Sequence, residues 1–170
     1  MDDKLWVGTF SKGLKIIDTR TGTVSKTYQK NSSPRSLIDN SIFAICRTAT
    51  GDIYLGTMFG LVKYNKQSDD FDRIPELNGK FVYDIKEDSG GNIWLATYAN
   101  GAYCYNVNDR KWKNYVHDEK DTTSLSYNKV SSIFEDSYHR IWLTTQGGGF
   151  CLFHPCLLYT SDAADDKARV

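Results

Sequence analysis

Gly91–Asn106 reads GNIWLATYANGAYCYN. An apolar strand carries an aromatic anchor, a short loop and a glycine follow, and a second alternating strand closes on a polar residue. The same unit returns three more times. Trp6, Tyr54, Trp94 and Trp142 hold the anchor, 48, 40 and 48 residues apart. A threonine comes three residues later (Thr9, Thr57, Thr97, Thr145), and the position before it is small (Gly8, Gly56, Ala96, Thr144). Glycine follows the anchor by seven residues at Gly13, Gly101 and Gly149 and by six at Gly60. Four residues beyond each glycine sits a large side chain, Ile17, Tyr64, Tyr105 or Phe153, and then a polar one, Asp18, Asn65, Asn106 or His154. Agreement at so many positions marks a repeat array.

Outward from this unit, each full repeat parses as four short strands. The second gives Ile42 to Thr48, Asp52 to Met58, Leu61 to Asn65 and Phe71 to Ile74. The third gives Val82 to Glu87, Asn92 to Tyr98, Ala102 to Asn106 and Trp112 to Tyr115. Asp, Asn, Gly and Ser fill the turns, as residues that tolerate left-handed backbone or bond their own main chain should. Four-stranded units at this spacing predict an all-β fold, an incomplete β-propeller of about three and a half four-stranded antiparallel blades. The expected blades are residues 1–29, 30–76, 77–116 and 117–155. The fourth-to-first connections alternate in length. Asn31 to Ser41 and His117 to Lys129 are long, each with a Ser-Leu pair and an Asn three residues on (Asn40, Asn128), whereas Pro75 to Lys80 is short. Such uneven relief suits a recognition surface.

The balance of residues excludes several classes. Lys plus Arg equals Asp plus Glu at 21 each, with no basic cluster, so a nucleic-acid or anionic-membrane surface has no electrostatic support. No apolar run approaches the roughly 18 to 20 residues that span a bilayer. MDDKLW has neither a basic nor an apolar leader region, so no targeting signal is read in this fragment. Cys46, Cys104, Cys151 and Cys156 follow no CxxC spacing and read as buried small hydrophobes.

The first repeat begins at its second strand and the fourth is expected to stop after its third, at Phe153. Those deficits do not complement each other, so the chain is expected to be cut from a larger ring with blade faces left uncovered. The tail from Cys156 to Val170 breaks every pattern above. Cys156 to Asp165 resembles the translation of a transposase adapter used in preparing sequencing libraries, and residues 156–170 are expected to be non-native. The rival reading, Leu157 to Tyr159 as the missing outer strand, fits the spacing poorly, because register would place the first apolar residue at Thr160.

KLWVGTFSKGLKIID, DIYLGTMFGLVKYN and GNIWLATYANGAYCYN together resemble the two-component regulator propeller repeat, and the resemblance covers residues 1–155. It implies the extracytoplasmic sensor region of a hybrid histidine kinase that responds to oligosaccharides and controls glycan-utilisation genes. It further implies a periplasmic location with the parent in the inner membrane, a dimeric parent, and remaining blades elsewhere in that parent as partners. The kinase chemistry itself is not in these residues, so the chain is not expected to be an enzyme. Two alternatives are a propeller enzyme resembling streptogramin lyase and a generic protein-interaction propeller.

Chemistry-bearing residues are sparse. His117, His139 and His154 lack metal-ligand spacing, so no metal and no cofactor is expected. Gly147 to Gly149 lacks the Lys-Ser/Thr of a phosphate loop, and no GxSxG elbow occurs. The turn DSGGNIW resembles the Asp-box of sialidases, which is structural in that family. A glycosidase's catalytic groups lie elsewhere, and Arg35, Arg47 and Asp84 are the candidates for them in principle. For binding, the loops between second and third strands offer Phe10 and Lys12, Phe59, Tyr98 and Asn100, and Gln146. An aromatic face beside an amide or cation is what a sugar needs, since ring C–H groups stack and hydroxyls hydrogen-bond. The competing reading is that Phe10, Phe59 and Tyr98 cap gaps between blades. The anchors Trp6, Tyr54, Trp94 and Trp142 are expected in the core.

Overall fold

The computed structural model describes residues 3–154 and the strand Leu157–Ser161. Four antiparallel sheets follow one another along the chain. The first has three strands, β1 (Lys4–Gly8), β2 (Leu14–Asp18) and β3 (Thr23–Tyr28). The second is β4 (Ile42–Arg47), β5 (Ile53–Thr57), β6 (Gly60–Asn65) and β7 (Asp70–Arg73). The third is β8 (Val82–Glu87), β9 (Ile93–Thr97), β10 (Ala102–Asn106) and β11 (Lys111–Tyr115). The fourth is β12 (Val130–Glu135), β13 (Ile141–Thr145), β14 (Phe150–His154) and β15 (Leu157–Ser161). Strands pair in chain order within each sheet, and the remaining regular element is a 3-10 turn at Pro75–Leu77.

The chain divides into two compact units, Met1–Val82 and Tyr83–Val170. Each has its own core between two sheets. In the first, Leu14 and Ile16 pack with Leu37, Ile42, Leu55, Val62 and Phe71. In the second, Trp94, Ala96 and Cys104 pack with Leu125, Val130, Ile133, Leu143 and Cys151. The same parts recur in both. Leu37 and Leu125, from the Ser-Leu pairs, are fully buried plugs under the long connections. The serine beside each ties its loop shut: Ser36 Oγ donates to Ser33 O at 2.8 Å, and Ser124 Oγ accepts from Asp118 N at 2.9 Å.

The aromatic anchors recur as well. Trp6 meets Tyr64 edge-on at 4.9 Å, and Tyr28 at the end of β3 joins Tyr64 at 6.2 Å. Trp94 meets Phe153 edge-on at 4.7 Å, and Tyr115 at the end of β11 joins Phe153 at 5.1 Å. In each unit, then, one sheet's anchor and outer strand clasp the third strand of the next. Such edge-to-face pairs add about 0.5–1.5 kcal/mol beyond area burial.

The small residue before the threonine now has a cause. A Cβ on Gly8 would sit 2.7 Å from Ile42 Cγ2, and one on Gly56 2.8 Å from Val82 Cγ1. Gly8 thus admits the first strand of the following sheet, which is held by Ile42 N donating to Thr9 O at 2.9 Å.

Two expectations need correction. The fourth sheet does not stop at Phe153: Leu157–Ser161 pairs with β14, from His154↔Leu157 to Phe150↔Ser161. An open strand edge recruits a partner through main-chain N–H and C=O groups, and an apolar, β-prone segment can fill it without obeying the repeat's side-chain pattern. The rest of the tail expected to be non-native, residues 156 and 162–170, lies outside the described residues. The anchors are also not all core. Trp94 is 3% exposed, but Trp6, Tyr54 and Trp142 are half-buried. Trp94 is enclosed by Tyr115 and Phe153 together, whereas Trp142 packs on Phe150 of its own sheet under Arg140.

Candidate functional site

The loops between second and third strands are knotted by the repeat's threonine and glycine. Thr9 Oγ1 donates to Gly13 O at 2.8 Å, Thr57 Oγ1 to Gly60 O at 2.9 Å, Thr97 Oγ1 to Gly101 O at 2.6 Å, and Thr145 Oγ1 to Gly149 O at 3.1 Å. The same hydroxyls accept from the loop backbone, from Lys12 N, Phe59 N and Asn100 N. Gly101 has φ +73°, and its N–H donates to Asn128 O at 2.9 Å. The side chain of Asn128 accepts from His117 N at 2.7 Å, and Asn40 repeats both contacts with Gly13 and Lys30. These knots use up the repeated residues and hold each loop rigid. What remains to face outward is the loop's variable side chains.

Of the candidate aromatics, Phe10 is 70% exposed, Phe59 51% and Tyr98 44%. Lys12 and Gln146 are exposed and Asn100 is half-buried. In the first unit Phe10 meets Phe43 at 5.9 Å, and Phe43 meets Phe81 at 4.4 Å, giving a run of three rings. In the second unit the ring of Tyr98 lies under Lys129 Nζ at 4.2 Å, and Lys129 O accepts from Gln146 N at 2.8 Å. Tyr98, Lys129 and Gln146 are therefore neighbours. Tyr127 lies against Gly147, where a Cβ would sit 3.5 Å from its Cε1. Sequence reasoning missed Phe43, Phe81, Lys129 and Tyr127. Alternation along β4, with Ile42 buried, was the available signal for Phe43.

Two of the glycosidase candidates, Arg35 and Asp84, are engaged in structural contacts. Arg35 Nε and Nη2 donate to Asp70 at 2.5 and 2.7 Å, with Asp72 at 3.0 Å. The Arg35 guanidinium, with Ser68, holds the Asp70 carboxyl down at about 2. Asp84 Oδ2 accepts from Ser132 Oγ at 2.9 Å and Ile133 N at 3.0 Å, bracing β8 against the bulge in β12. Arg47 ends β4 exposed. In the Asp-box-like turn, Asp88 Oδ2 accepts from Trp94 Nε1 at 2.8 Å, and Asp136 Oδ2 repeats this with Trp142 Nε1 at 2.8 Å. Burial works to raise the Asp136 carboxyl, but hydrogen bonds from Trp142 and Arg140 outweigh it and hold the group well below its usual range. Burial pushes the Cys104 thiol up to about 12, as befits a core residue. His117 Nδ1 lies 2.6 Å from Leu125 O, which only accepts, so that nitrogen carries the proton.

A cavity of about 240 Å³ lies elsewhere, at the outer strands of the first unit, lined by Thr27, Gln29, Asn31, Arg35, Asp69 and Phe71 among others. Its carboxylates are spoken for: Asp69 binds Lys26, Tyr28 and Tyr64, and Asp70 binds Arg35 and Ser68.

The family described as "Two component regulator propeller" matches residues 36–59, 76–99 and 124–147. The three matched segments carry the anchors Tyr54, Trp94 and Trp142. Each match begins one residue before a buried leucine, Leu37, Leu77 or Leu125. Thus the short connection, which looked unlike the others, also supplies a plug, Leu77, presented by its 3-10 turn. Histidine kinase P4 of Formosa agariphila is 34% identical over 148 residues, 87% of this chain, and the chain spans 8% of that protein. The extracellular domain ascribed to a hybrid two-component system of B. thetaiotaomicron superposes with TM-score 0.75 at 22% identity, over 91% of this chain and 21% of that one. A streptogramin B lyase superposes with TM-score 0.68 at 18% identity, over 98% of this chain and 53% of the lyase. The fold is that of a β-propeller, with no closed sheet among the described residues. No helix among the described residues is long and apolar enough to cross a membrane.

Proposed function

We propose that this chain is part of the periplasmic sensor propeller of a hybrid two-component histidine kinase, whose parent sits in the inner membrane as a dimer. It binds an oligosaccharide at second-to-third-strand loops and, through the parent's kinase, controls glycan-utilisation genes. The remaining blades of the parent complete the ring. The observation that carries this reading is the contrast among aromatics. Trp6, Trp94, Tyr64 and Phe153 are clasped between sheets, whereas Phe10, Phe59 and Tyr98 stand 44–70% exposed on loops that the threonine–glycine knots make rigid. Rigid aromatic faces lower the ordering cost of stacking a sugar ring. Calorimetric titration of the chain with a panel of oligosaccharides tests it. Saturable heat with a panel member, weakened at least tenfold in Tyr98→Ala or Phe59→Ala, is expected, with melting temperature nearly unchanged. Silence across the panel refutes it, as does a large loss of stability in both variants, which would make these rings core.

A further inference from the structure

We propose that the saccharide taken by the second unit is anionic, its carboxylate or sulfate group held by Lys129 beside Tyr98; this rests on the glycan-binding reading above. Lys129 is the residue before β12, half-buried, with its main chain pinned by Gln146 N. Its Nζ sits 4.2 Å from the Tyr98 ring centroid. A ring face satisfies the charge without supplying a lone pair, so the ammonium keeps N–H donors for an acceptor. Among the described residues Lys129 makes no ion pair.

The unit's carboxylates near the inner strands are engaged with other groups. Asp84 takes Ile85 N on Oδ1, and Ser132 Oγ with Ile133 N on Oδ2. Glu135 takes Ser89 N, and Asp136 takes Trp142, Arg140 and Tyr138. The result is a cation without an ion pair, positioned on the face of Tyr98, which is itself 44% exposed. An ammonium has donors only, so it discriminates among ligands by their acceptors, and a charged acceptor makes the stronger bond. Holding the ammonium on the ring in advance reduces what a ligand must order. Asn100 and Gln146 can then read neutral hydroxyls.

The test titrates the chain with trigalacturonate, its carboxyl-reduced neutral counterpart, and a 6-sulfated galactose disaccharide beside its unsulfated form. Either acid should bind about tenfold tighter than its neutral match, the size expected of one charge-assisted hydrogen bond. The preference should shrink as salt rises. Lys129→Met, which keeps the apolar stem, should erase the preference, and Lys129→Arg should retain it. Preference for carboxylate over sulfate, or the reverse, names the source of the charge. Equal binding of neutral and acidic sugars, unchanged in Lys129→Met, overturns the inference and leaves glycan binding standing. Binding of no saccharide of either kind overturns both.

Discussion

Gly101→Ala should destabilise the chain for two separable reasons. The residue has φ +73°, a left-handed conformation that costs an L side chain about 1–2 kcal/mol. An added Cβ would also lie 1.9 Å from Tyr115 O and 3.0 Å from Tyr115 C. Those are backbone atoms of β11, which cannot rotate away, so the overpacking adds about 1–3 kcal/mol. Gly91→Ala supplies the control. Its φ is +81°, but the nearest atom to its Cβ is Val107 Cγ2 at 3.9 Å, leaving only the backbone cost. Gly101→Ala should therefore fall about 2–5 kcal/mol below the parent and Gly91→Ala about 1–2. Urea unfolding followed by tryptophan fluorescence reads both. At about 2–4 °C per kcal/mol, thermal melts should separate the two variants by several degrees. If both lose the same stability, the loop does not lie against the end of β11, and the knot described above is wrong.

Three further outcomes follow from the same geometry. Leu125→Ala, at a fully buried plug, should cost about 2–5 kcal/mol in denaturant unfolding, and a loss below 1 would mean the connection is not part of the core. Asp88→Ala removes the acceptor of Trp94 Nε1, Asn92 N and Asn92 Nδ2, and should cost about 1–3 kcal/mol with a shift in tryptophan emission. Asp70 has its folded pKa lowered to about 2 by Arg35 and then Ser68, so its contribution to stability is present above the ordinary carboxylate range and fades as pH falls toward 2. Carboxyl chemical shifts should show this midpoint near 2 in the parent, returning to the ordinary range in Arg35→Ala.

Much of the fold was legible because side-chain period and turn chemistry act locally. Val82–Glu87 and Ala102–Asn106 coincide with the strands read from sequence, and most of the other strands of the two full repeats differ at their ends by a residue. The reasons behind the repeat were not legible. Gly56 is small because Val82 packs on it 26 positions away, and no local pattern states that. Leu77 escaped notice because its connection lacks the Ser-Leu pair, although a 3-10 turn delivers the leucine to an equally buried place. A strand at Leu157 to Tyr159 fits the repeat's side-chain register poorly, yet Leu157–Ser161 pairs with β14, because main-chain groups recruit it and leave no mark in that register. At the candidate face, Tyr98 could be named from its loop, but Lys129 over its ring depends on how a connection folds back, which spacing alone does not encode.

The most direct test is to map amide chemical shifts of the labelled chain as a bound oligosaccharide is added. Recognition by the loop face predicts that the largest changes fall at Tyr98, Asn100, Lys129 and Gln146, with Phe10 and Phe59 responding in the other unit. Changes concentrated instead at Thr27, Asn31 and Asp69, around the outer-strand cavity, would contradict the account.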